Sequence, residues 1–264
     1  MDFTDKTIWI TGASSGIGKA VAIKLSKENT HLILSDINEK GLREVADICK
    51  KNGCTTKIAP VDLSDEKSVN SVIMRVIDKK TTIDCLYHFA GISQRSLVRE
   101  TPIFVDRKIF EINFFGAVAL TKAVLPEMIN NGGGQIAVTS SIVGKFGFPY
   151  RSSYSATKHA LHGFFESLRA ENKHNNIQVS IIIPGRVKTN ISINAINKDG
   201  KTHAKMDDGQ DSGITAEKAA GIICRNLKKN KKEILVGGKE LMMVHIRRFL
   251  PRLYYYMSSR IKPV

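Results

Sequence analysis

The feature that most constrains the fold of this chain is a glycine-rich turn near its start, TGASSGIG at residues 11–18. The residues before it, TIWIT at 7–11, are mostly β-branched or aromatic and predict a buried strand. Apolar residues recur after it at helical spacing, from Ile17 to Leu25. Glycines at such a junction let backbone N–H groups and the positive end of a helix approach a pyrophosphate. The turn therefore predicts phosphate binding, and the alternative is a plain connection between strand and helix.

Strand-like and helix-like segments alternate beyond this turn. Helices are predicted at residues 39–51, from 64 onward, at 113–129 and at 153–173, and strands at 31–36, 56–62, 83–89, 135–140 and 178–183. Alternation of this kind favours a parallel sheet covered by helices on both faces. We therefore predict one doubly wound α/β domain over residues 1–264, with about seven parallel strands.

Asp36 lies at the end of the second predicted strand, 20 residues after Gly16. A carboxylate at this point of a dinucleotide-binding unit accepts hydrogen bonds from the adenosine ribose hydroxyls. The same charge repels the 2′-phosphate of NADP. The sequence therefore favours NAD as the cofactor over NADP.

Tyr154 and Lys158 are four residues apart and share one face of a predicted helix. Two charges about 4 Å apart at an effective dielectric constant near 20 interact by roughly 4 kcal/mol, or about three pKa units. A lysine at this distance would bring a tyrosine pKa from ~10 towards neutrality, where the phenol exchanges a proton with an alcohol or a carbonyl. The spacing alone also fits a tyrosine and a lysine on a helix surface.

Five motifs in order make residues 5–237 resemble the short-chain dehydrogenase/reductase family. They are the turn at 11–18, the N-x-x-G sequence at 113–116, a serine at 141, the Y-x-x-x-K sequence at 154–158 and the P-G-x-V-x-T sequence at 184–189. The resemblance implies a Rossmann fold and a hydride transfer beside a nicotinamide while a phenol handles the proton.

The resemblance also implies the roles of individual residues. Tyr154 would be the acid/base, and Lys158 would lower its pKa and bind the nicotinamide ribose. Ser141 would hydrogen-bond the substrate oxygen beside Tyr154, and Asn113 would hold a water that continues the proton path. The residues implied to contact the cofactor are Gly12, Ser14, Ser15, Gly16, Ile17, Gly18, Asp36, Asp62, Leu63, Ala90, Gly91, Tyr154, Lys158, Pro184, Gly185, Val187 and Thr189.

The sequence departs from the family pattern at the end of the fourth predicted strand. The family has N-N-A-G there, whereas this chain has His88-Phe89-Ala90-Gly91. We expect His88 to replace a lost hydrogen bond that stabilises the sheet rather than to act in catalysis. Phe89 is expected to pack beside the adenosine.

Three segments are candidates for the substrate region. Residues 189–213 are polar and show no clear periodicity, which favours a substrate-covering lid over a plain surface excursion. An apolar pocket wall is predicted between Ser141 and Tyr154, and substrate contact is left open for the segment after Gly91. The residues concerned are Phe146, Phe148, Pro149 and Tyr150 in the first case, and Gln94, Ser96 and Leu97 in the second.

The positive charge of the chain is concentrated at its carboxyl end. The net charge is +15, and the 40 residues from Arg225 onward hold eleven basic and two acidic side chains, which gives +9. Residues 239–264 form a basic, aromatic extension. Packing on the body or on a second subunit is the favoured interpretation, and docking on an anionic membrane surface is the alternative. Nucleic acid is disfavoured because no recognition motif is present.

Cysteine spacing and the first residues of the chain bear on metal binding and on the location of the protein. The four cysteines show neither C-x-x-C spacing nor partnering histidines, so we predict no metal site. The first residues lack the features of a secretory signal, and no window approaches the ~20 uninterrupted apolar residues of a membrane-spanning helix. We expect a cytoplasmic protein, peripheral at a membrane if the extension docks there.

These observations together predict an oxidoreductase that transfers a hydride between NAD(H) and a secondary alcohol or ketone. The apolar residues near Tyr154 favour a hydrophobic substrate of steroid, retinoid or acyl type. The alternatives are an NADPH-dependent acyl or sugar ketoreductase and a non-catalytic NAD-binding scaffold. The presence of Asn113, Ser141, Tyr154 and Lys158 argues against a scaffold, and the resemblance implies a homodimer or homotetramer.

Overall fold

Seven parallel strands form the central sheet of the computed structural model, which describes residues 1–77, 81–258 and 260. The strand order is β3-β2-β1-β4-β5-β6-β9, and β7 pairs with β8 in a separate two-stranded sheet. The strands are β1 Thr7–Thr11, β2 His31–Ser35, β3 Thr55–Ile58, β4 Cys85–His88, β5 Gly134–Thr139, β6 Ile177–Pro184, β7 Val187–Lys188, β8 Ile214–Thr215 and β9 Glu233–Val236.

Helices cover both faces of the sheet. They are α1 Gly16–Leu25, α2 Glu39–Lys51, α3 Glu66–Val76, α4 Ile103–Phe110, α5 Gly116–Asn130, α6 Ser152–Glu171, α7 Asp208–Asp211, α8 Ala216–Lys228, α9 Met242–Phe249 and α10 Pro251–Ser258. Buried residues of α1, α2 and α8 form one core with the sheet, and those of α3, α5 and α6 form a second core. The predicted doubly wound α/β fold is confirmed.

The strand order reverses between β1 and β4, which are neighbours although two strands separate them in the sequence. Ligands of open α/β sheets bind in the crevice at such a switch point, beyond the carboxyl ends of the strands. The turns after the two strands approach closely here, since a Cβ atom on Gly12 would lie 2.5 Å from the backbone nitrogen of Ala90. Gly12 also has a φ of +69°, so both space and backbone conformation require glycine.

The helix carrying Asn113 is longer than the sequence pattern predicts. It begins at Ile103 rather than near Asn113, and the π-helix Glu111–Phe115 joins α4 to α5. The continuous helix Ile103–Asn130 has 28 residues and contains an 18-residue window of mean hydropathy 1.4, enough by length and composition to cross a membrane. Its inner side chains, including Leu120 and Val124, are nevertheless part of the second core. The packing explains its apolar composition as that of an internal helix.

Two predicted strands are shorter in the structure. The third ends at Ile58 rather than at residue 62, and the fourth covers Cys85–His88 rather than 83–89. Pro60 follows β3 and has no N–H to donate to the sheet, although Ala59 and Val61 still donate to the chain at β2. Within the predicted lid at 189–213, the structure forms the short helix α7.

Candidate active site

The carboxyl ends of the strands open into a cavity of about 1040 Å³. One end of it is lined by the turn after β1 and by the residues that follow β2 and β3. The other end is lined by the segment between β5 and α6, by the lid and by the carboxyl-terminal helices. The topology of a switch point thus brings both groups of residues to one cavity at the carboxyl ends of the strands.

The amino end of α1 has the chemistry of an anion site. Ser15 is its N-cap, and its side chain makes no capping hydrogen bond in the described part of the chain. Gly16 has a φ of +54° and faces the side chain of Thr189, which lies 3.3 Å from the position a Cβ atom would take. Uncapped N–H groups and the helix dipole favour a phosphate here. The cradle therefore fits the pyrophosphate of a dinucleotide.

Asp36 is fixed at the mouth of this end of the cavity. Its carboxylate accepts hydrogen bonds from the backbone N–H groups of Ser14, at 3.2 Å, and Asn38, at 3.0 Å. The adjacent side chain, Ile37, is 70% exposed and also lines the cavity. The carboxylate is thus held beside an apolar surface, an arrangement that suits a ribose and an adenine ring.

Tyr154 lies in the first turn of α6 and lines the cavity together with Ser141. Ser141 follows β5, and its hydroxyl donates to the carbonyl oxygen of Pro184 at 3.3 Å. Burial raises the pKa of Tyr154, while the charge of Arg151, the neighbouring Ser141 hydroxyl and the charge of Arg95 oppose that rise. Two hydroxyl-bearing side chains thus line one cavity, as a site that holds an oxygen and moves its proton requires.

Lys158 lies one turn further along α6 and is almost completely buried. Its Nζ donates to the carbonyl oxygen of Thr139 at 2.7 Å and lies 5.5 Å from the centre of the Tyr154 ring. Burial lowers the pKa of Lys158 to about 7. The sequence predicts that this lysine lowers the Tyr154 pKa. In the structure that pKa is raised by burial, and the positive charges that oppose the rise belong to Arg151 and Arg95.

Asn113 lies inside the π-helix, and its side chain joins two elements. Its Oδ1 accepts from the backbone N–H of Ile92 at 2.8 Å, and its Nδ2 donates to the carbonyl oxygen of Ile92 at 2.9 Å and to Thr157 Oγ1 at 3.2 Å. The amide is therefore occupied by protein groups. Its role in holding a water stays a prediction.

Most residues predicted to contact cofactor or substrate line the cavity. Ser14 and Asn113 are the two exceptions: Ser14 is buried and its N–H orients Asp36, whereas Asn113 holds Ile92. The predicted residues that line it are Gly12, Ser15, Gly16, Ile17, Gly18, Asp36, Asp62, Leu63, Ala90, Gly91, Ser141, Tyr154, Lys158, Pro184, Gly185, Val187 and Thr189.

Comparison with known proteins decides the family. The sequence profile described as short chain dehydrogenase matches residues 6–200. The chain belongs to the short-chain dehydrogenase/reductase family. It is therefore an NAD(P)-dependent oxidoreductase, and the resemblance seen in the sequence motifs is confirmed.

Relatives and solved structures of short-chain dehydrogenases/reductases resemble the chain over nearly its whole length. Dehydrogenase/reductase SDR family member 7B of Xenopus tropicalis is 38% identical over 266 residues, which cover 98% of this chain and 86% of the relative. A family member from Burkholderia phymatum, solved in complex with NAD, has a TM-score of 0.84 at 22% identity and covers 100% of this chain and 99% of its own. One from Sphingobium yanoikuyae, in complex with NADPH, has a TM-score of 0.79 at 20% identity, with 98% and 97% covered.

Gln94 has a role in this short-chain dehydrogenase/reductase that the sequence does not indicate. It is fully buried, and its Oε1 accepts from the backbone N–H of Ser153 at 2.9 Å and of Tyr154 at 3.4 Å. Its Nε2 donates to Ser96 and Thr101. Substrate contact was left open for Gln94, Ser96 and Leu97, and none of the three lines the cavity. Gln94 instead caps the helix that carries Tyr154.

An ionic cluster of Arg95, Arg151 and Asp207 ties the lid to the body. Arg95 Nε lies 3.1 Å from Asp207 Oδ2, and Arg151 Nη2 lies 2.8 Å from the same oxygen. The side chains of Arg95 and Asp207 are only 8% and 3% exposed. Burial acts to raise the pKa of Asp207, but the two guanidinium groups hold it below its usual value. The three residues come from separate segments, so no local sequence pattern marks the cluster.

The carboxyl-terminal helices supply part of an apolar wall, formed by Phe146, Phe148, Met243, Tyr254 and Met257, that lines the cavity. The hydroxyl of Tyr254 donates to the carbonyl oxygen of Gly147 at 2.6 Å, and its ring centre lies 5.3 Å from that of Phe146. The extension therefore packs on the body of its own chain. Residues 259 and 261–264 of the extension lie outside the described residues.

His88 forms a hydrogen bond with a helix that packs on the sheet. Its Nε2 is 3.0 Å from Thr121 Oγ1, so it joins β4 to α5, and its replacement of a lost sheet-stabilising hydrogen bond stays a prediction. Burial lowers the pKa of His88 to about 3, so the ring is neutral. Its Nδ1 has no hydrogen-bond partner within the described ranges. Phe89 lines the cavity, where an adenosine contact is geometrically open to it.

Proposed function

We propose that this protein transfers a hydride between NAD(H) and a hydrophobic secondary alcohol or ketone. The observation that carries the proposal is that Tyr154 and Ser141 line one cavity beside the apolar wall, against whose Phe146 and Tyr254 the side chain of Tyr154 packs. When bound, the nicotinamide accepts the hydride from the carbinol carbon or returns it to the carbonyl carbon. The chain itself supplies the proton transfer and the orientation of the substrate.

Each catalytic side chain has a defined task in this proposal. Ser141 donates a hydrogen bond to the substrate oxygen and so orients it towards Tyr154. In oxidation the ionised Tyr154 oxygen removes the hydroxyl proton, and in reduction the neutral phenol supplies it. Lys158, whose pKa is lowered by burial to about 7, exists in both charge states near neutral pH. It is therefore suited to exchange a proton with the rest of the path.

NAD is the proposed cofactor because the carboxylate of Asp36 accepts hydrogen bonds from ribose hydroxyls and repels a phosphate. The basic residues that line the cavity in the described part of the chain are Arg95, Arg151, Lys158, Arg186 and Lys239. The cavity-lining residues of the segment around Asp36 are Ser35, Asp36 and Ile37, none of which is basic. Calorimetric titration with NADH and NADPH tests the preference. Tighter binding of NADPH would refute it.

A lipophilic substrate is proposed because the cavity continues past the catalytic hydroxyl groups along the apolar wall. Burial of a steroid, retinoid or acyl group against such side chains gains about 25 cal/mol for each Å² removed from water. The test is a panel of lipophilic alcohols and ketones, assayed in both directions with either cofactor. Turnover of small polyols with none of the lipophilic compounds would overturn the substrate class.

Self-association is proposed through α4 and the π-helix that follows it. Ile103, Phe104 and Phe115 are 67%, 54% and 49% exposed there. Covering these side chains in a homodimer or homotetramer would remove apolar surface from water. Light scattering coupled to size-exclusion chromatography measures the mass directly, and a monomer at all concentrations would refute the proposal.

A further inference from the structure

The two carboxyl-terminal helices present different faces to the body and to solvent. On the inner side, Met243, Val244, Ile246 and Tyr254 pack on Val143 and Phe146. The other side has an outer face, which consists of Arg248, Phe249, Leu250, Arg252 and Leu253. All five side chains are exposed.

Exposed apolar side chains are concentrated on these helices. Of the thirteen large apolar side chains that are exposed in the described ranges, six lie within residues 242–256. Phe249, Leu250 and Leu253 of the outer face are 68%, 55% and 43% exposed. An apolar patch of this density on a protein surface marks an interaction site rather than ordinary solvent contact.

The charge of the same segment identifies the kind of partner. Residues 242–258 contain three arginines and no aspartate or glutamate. Arg248 stacks on Phe249, with its guanidinium carbon 5.4 Å from the ring centre, so charge and apolar surface are interleaved. Helices with apolar and aromatic side chains beside arginines bind at the interface of membranes that contain anionic lipids.

Charge also decides between a membrane and a second copy of the chain. A symmetric contact between two copies places the same surface opposite itself, which brings Arg248 and Arg252 towards their own counterparts. With no acidic side chain in α9 or α10, nothing in these helices would compensate that repulsion. An anionic phospholipid surface pairs with the arginines and receives the apolar side chains at once.

We propose that the outer face docks this protein on the surface of an anionic phospholipid membrane. The same helices supply Met243, Tyr254 and Met257 to the cavity, so docking brings the cavity next to the lipid. A lipophilic substrate could then enter the cavity from the membrane without crossing water. That consequence rests on the proposed function, whereas the docking does not.

The first test compares the binding of the full chain to vesicles of phosphatidylcholine with and without phosphatidylserine, by flotation. Binding should require phosphatidylserine and weaken as salt is added. Arg248→Gln/Arg252→Gln should lower the partition constant about 25-fold, because each arginine near an anionic surface contributes about fivefold. Lys229→Gln/Lys231→Gln is the matched control, since it removes the same charge from exposed positions that precede the amino end of β9, whereas α9 and α10 follow its carboxyl end. It should change binding less than twofold.

The second test removes the apolar contribution. Phe249→Ser/Leu253→Ser should lower partitioning at least tenfold, and Met74→Ser, at a 74% exposed position on α3, should not. The thermal midpoint and NADH binding should stay unchanged in all variants, because none of these residues lines the cavity.

Three results would overturn the proposal. The first is that the unaltered chain does not bind phosphatidylserine vesicles, and the second is that the chain and both outer-face variants bind them equally. The third is that Phe249→Ser/Leu253→Ser converts an oligomer to a monomer and leaves vesicle binding unchanged, which would identify a subunit contact. Because vesicle binding is measured without turnover, a failure of the proposed reaction would not alter this outcome.

Discussion

The side-chain oxygen of Gln94 accepts a hydrogen bond from the backbone N–H of Ser153, 2.9 Å away at the start of α6. Arg151, which directly precedes α6, is the N-cap and makes no capping hydrogen bond through its side chain. An amide from the loop after β4 thus does what an N-cap side chain normally does. Because Tyr154 is the next residue, this contact sets the position of the catalytic phenol.

Gln94→Ala should therefore reduce turnover without affecting cofactor binding. Loss of the cap costs about 1 kcal/mol of stability, and displacement of the phenol should lower kcat about tenfold or more. Gln94→Glu keeps the acceptor oxygen and should retain most of the activity. Measurement of kcat, of KM for each substrate and of the urea midpoint separates the two effects. Equal kcat in the alanine variant and the unaltered chain would contradict the positioning role.

Tyr154→Phe removes the proton-transferring hydroxyl and leaves the ring in place. Hydride transfer should fall by about 10²- to 10⁴-fold, the contribution usual for general acid–base catalysis. The dissociation constant for NADH should change little, since the cradle at α1 is untouched. Steady-state rates and calorimetric titration check the two halves of this prediction. Unchanged rates would exclude Tyr154 as the acid/base.

Arg151→Gln should move the pH dependence of alcohol oxidation to higher pH. Burial raises the Tyr154 pKa, and the positive charge of Arg151 opposes that rise. Removing the charge raises the pKa further, so the ionised oxygen needed for oxidation forms only at higher pH. Arg151→Lys keeps the charge and should stay close to the original profile. The measurement is kcat/KM for oxidation against pH, and coincident profiles for the two variants would refute the electrostatic role.

Lys158 should make the stability of the fold depend on pH. Its pKa is lowered from 10.5 to about 7 by burial, so between these values the unfolded chain holds a proton that the folded chain lacks. Stability then rises with pH in this window and is lost as pH falls towards 7. Lys158→Met removes the dependence. The unfolding free energy of the unaltered chain, minus that of the variant, should rise by about 2 kcal/mol between pH 7 and 9. A constant difference would show that the lysine stays charged.

Asp207→Asn should destabilise the lid and the fold. It leaves Arg95 and Arg151 side by side with no carboxylate between them, and breaking a buried ion pair costs about 3 kcal/mol or more. Cleavage by trypsin within residues 189–213 should become faster as the lid opens. Asp208→Asn, at the exposed neighbouring position, is the control and should match the unaltered chain. Identical urea midpoints for the two variants would show that the cluster does not hold the lid.

The parts of the site that the sequence predicts are those set by local pattern. The glycine turn, Asp36 and the Tyr154/Lys158 pair depend on spacings of a few residues within one strand-to-helix unit or one helix. Their placement at one sheet edge then follows from the parallel topology. The bounds of β3 and the start of α4 were less well predicted, because tertiary packing decides where such elements end.

The parts of the site that the sequence does not predict join segments that are distant in the sequence. Arg95 and Asp207 are separated by 112 residues, and Tyr254 bonds to a carbonyl 107 residues earlier. The spacing of apolar residues along the sequence does not indicate such contacts. The pKa values also depend on tertiary structure: the spacing of Tyr154 and Lys158 gives their distance but not their burial, and burial is the largest cause of both pKa shifts.

The π-helix at Glu111–Phe115 acts as a built-in insertion of one residue in the helix that crosses the domain. Removing one residue there would turn the two halves of that helix by about 100° relative to each other. Ile109 and Leu120 could then no longer both face the interior, where each is fully buried now. Deletion of one residue from the π-helix should therefore be tolerated far less than deletion of one residue from the lid. The π-helix fixes the rotation of one helical half relative to the other, and many buried contacts depend on that rotation.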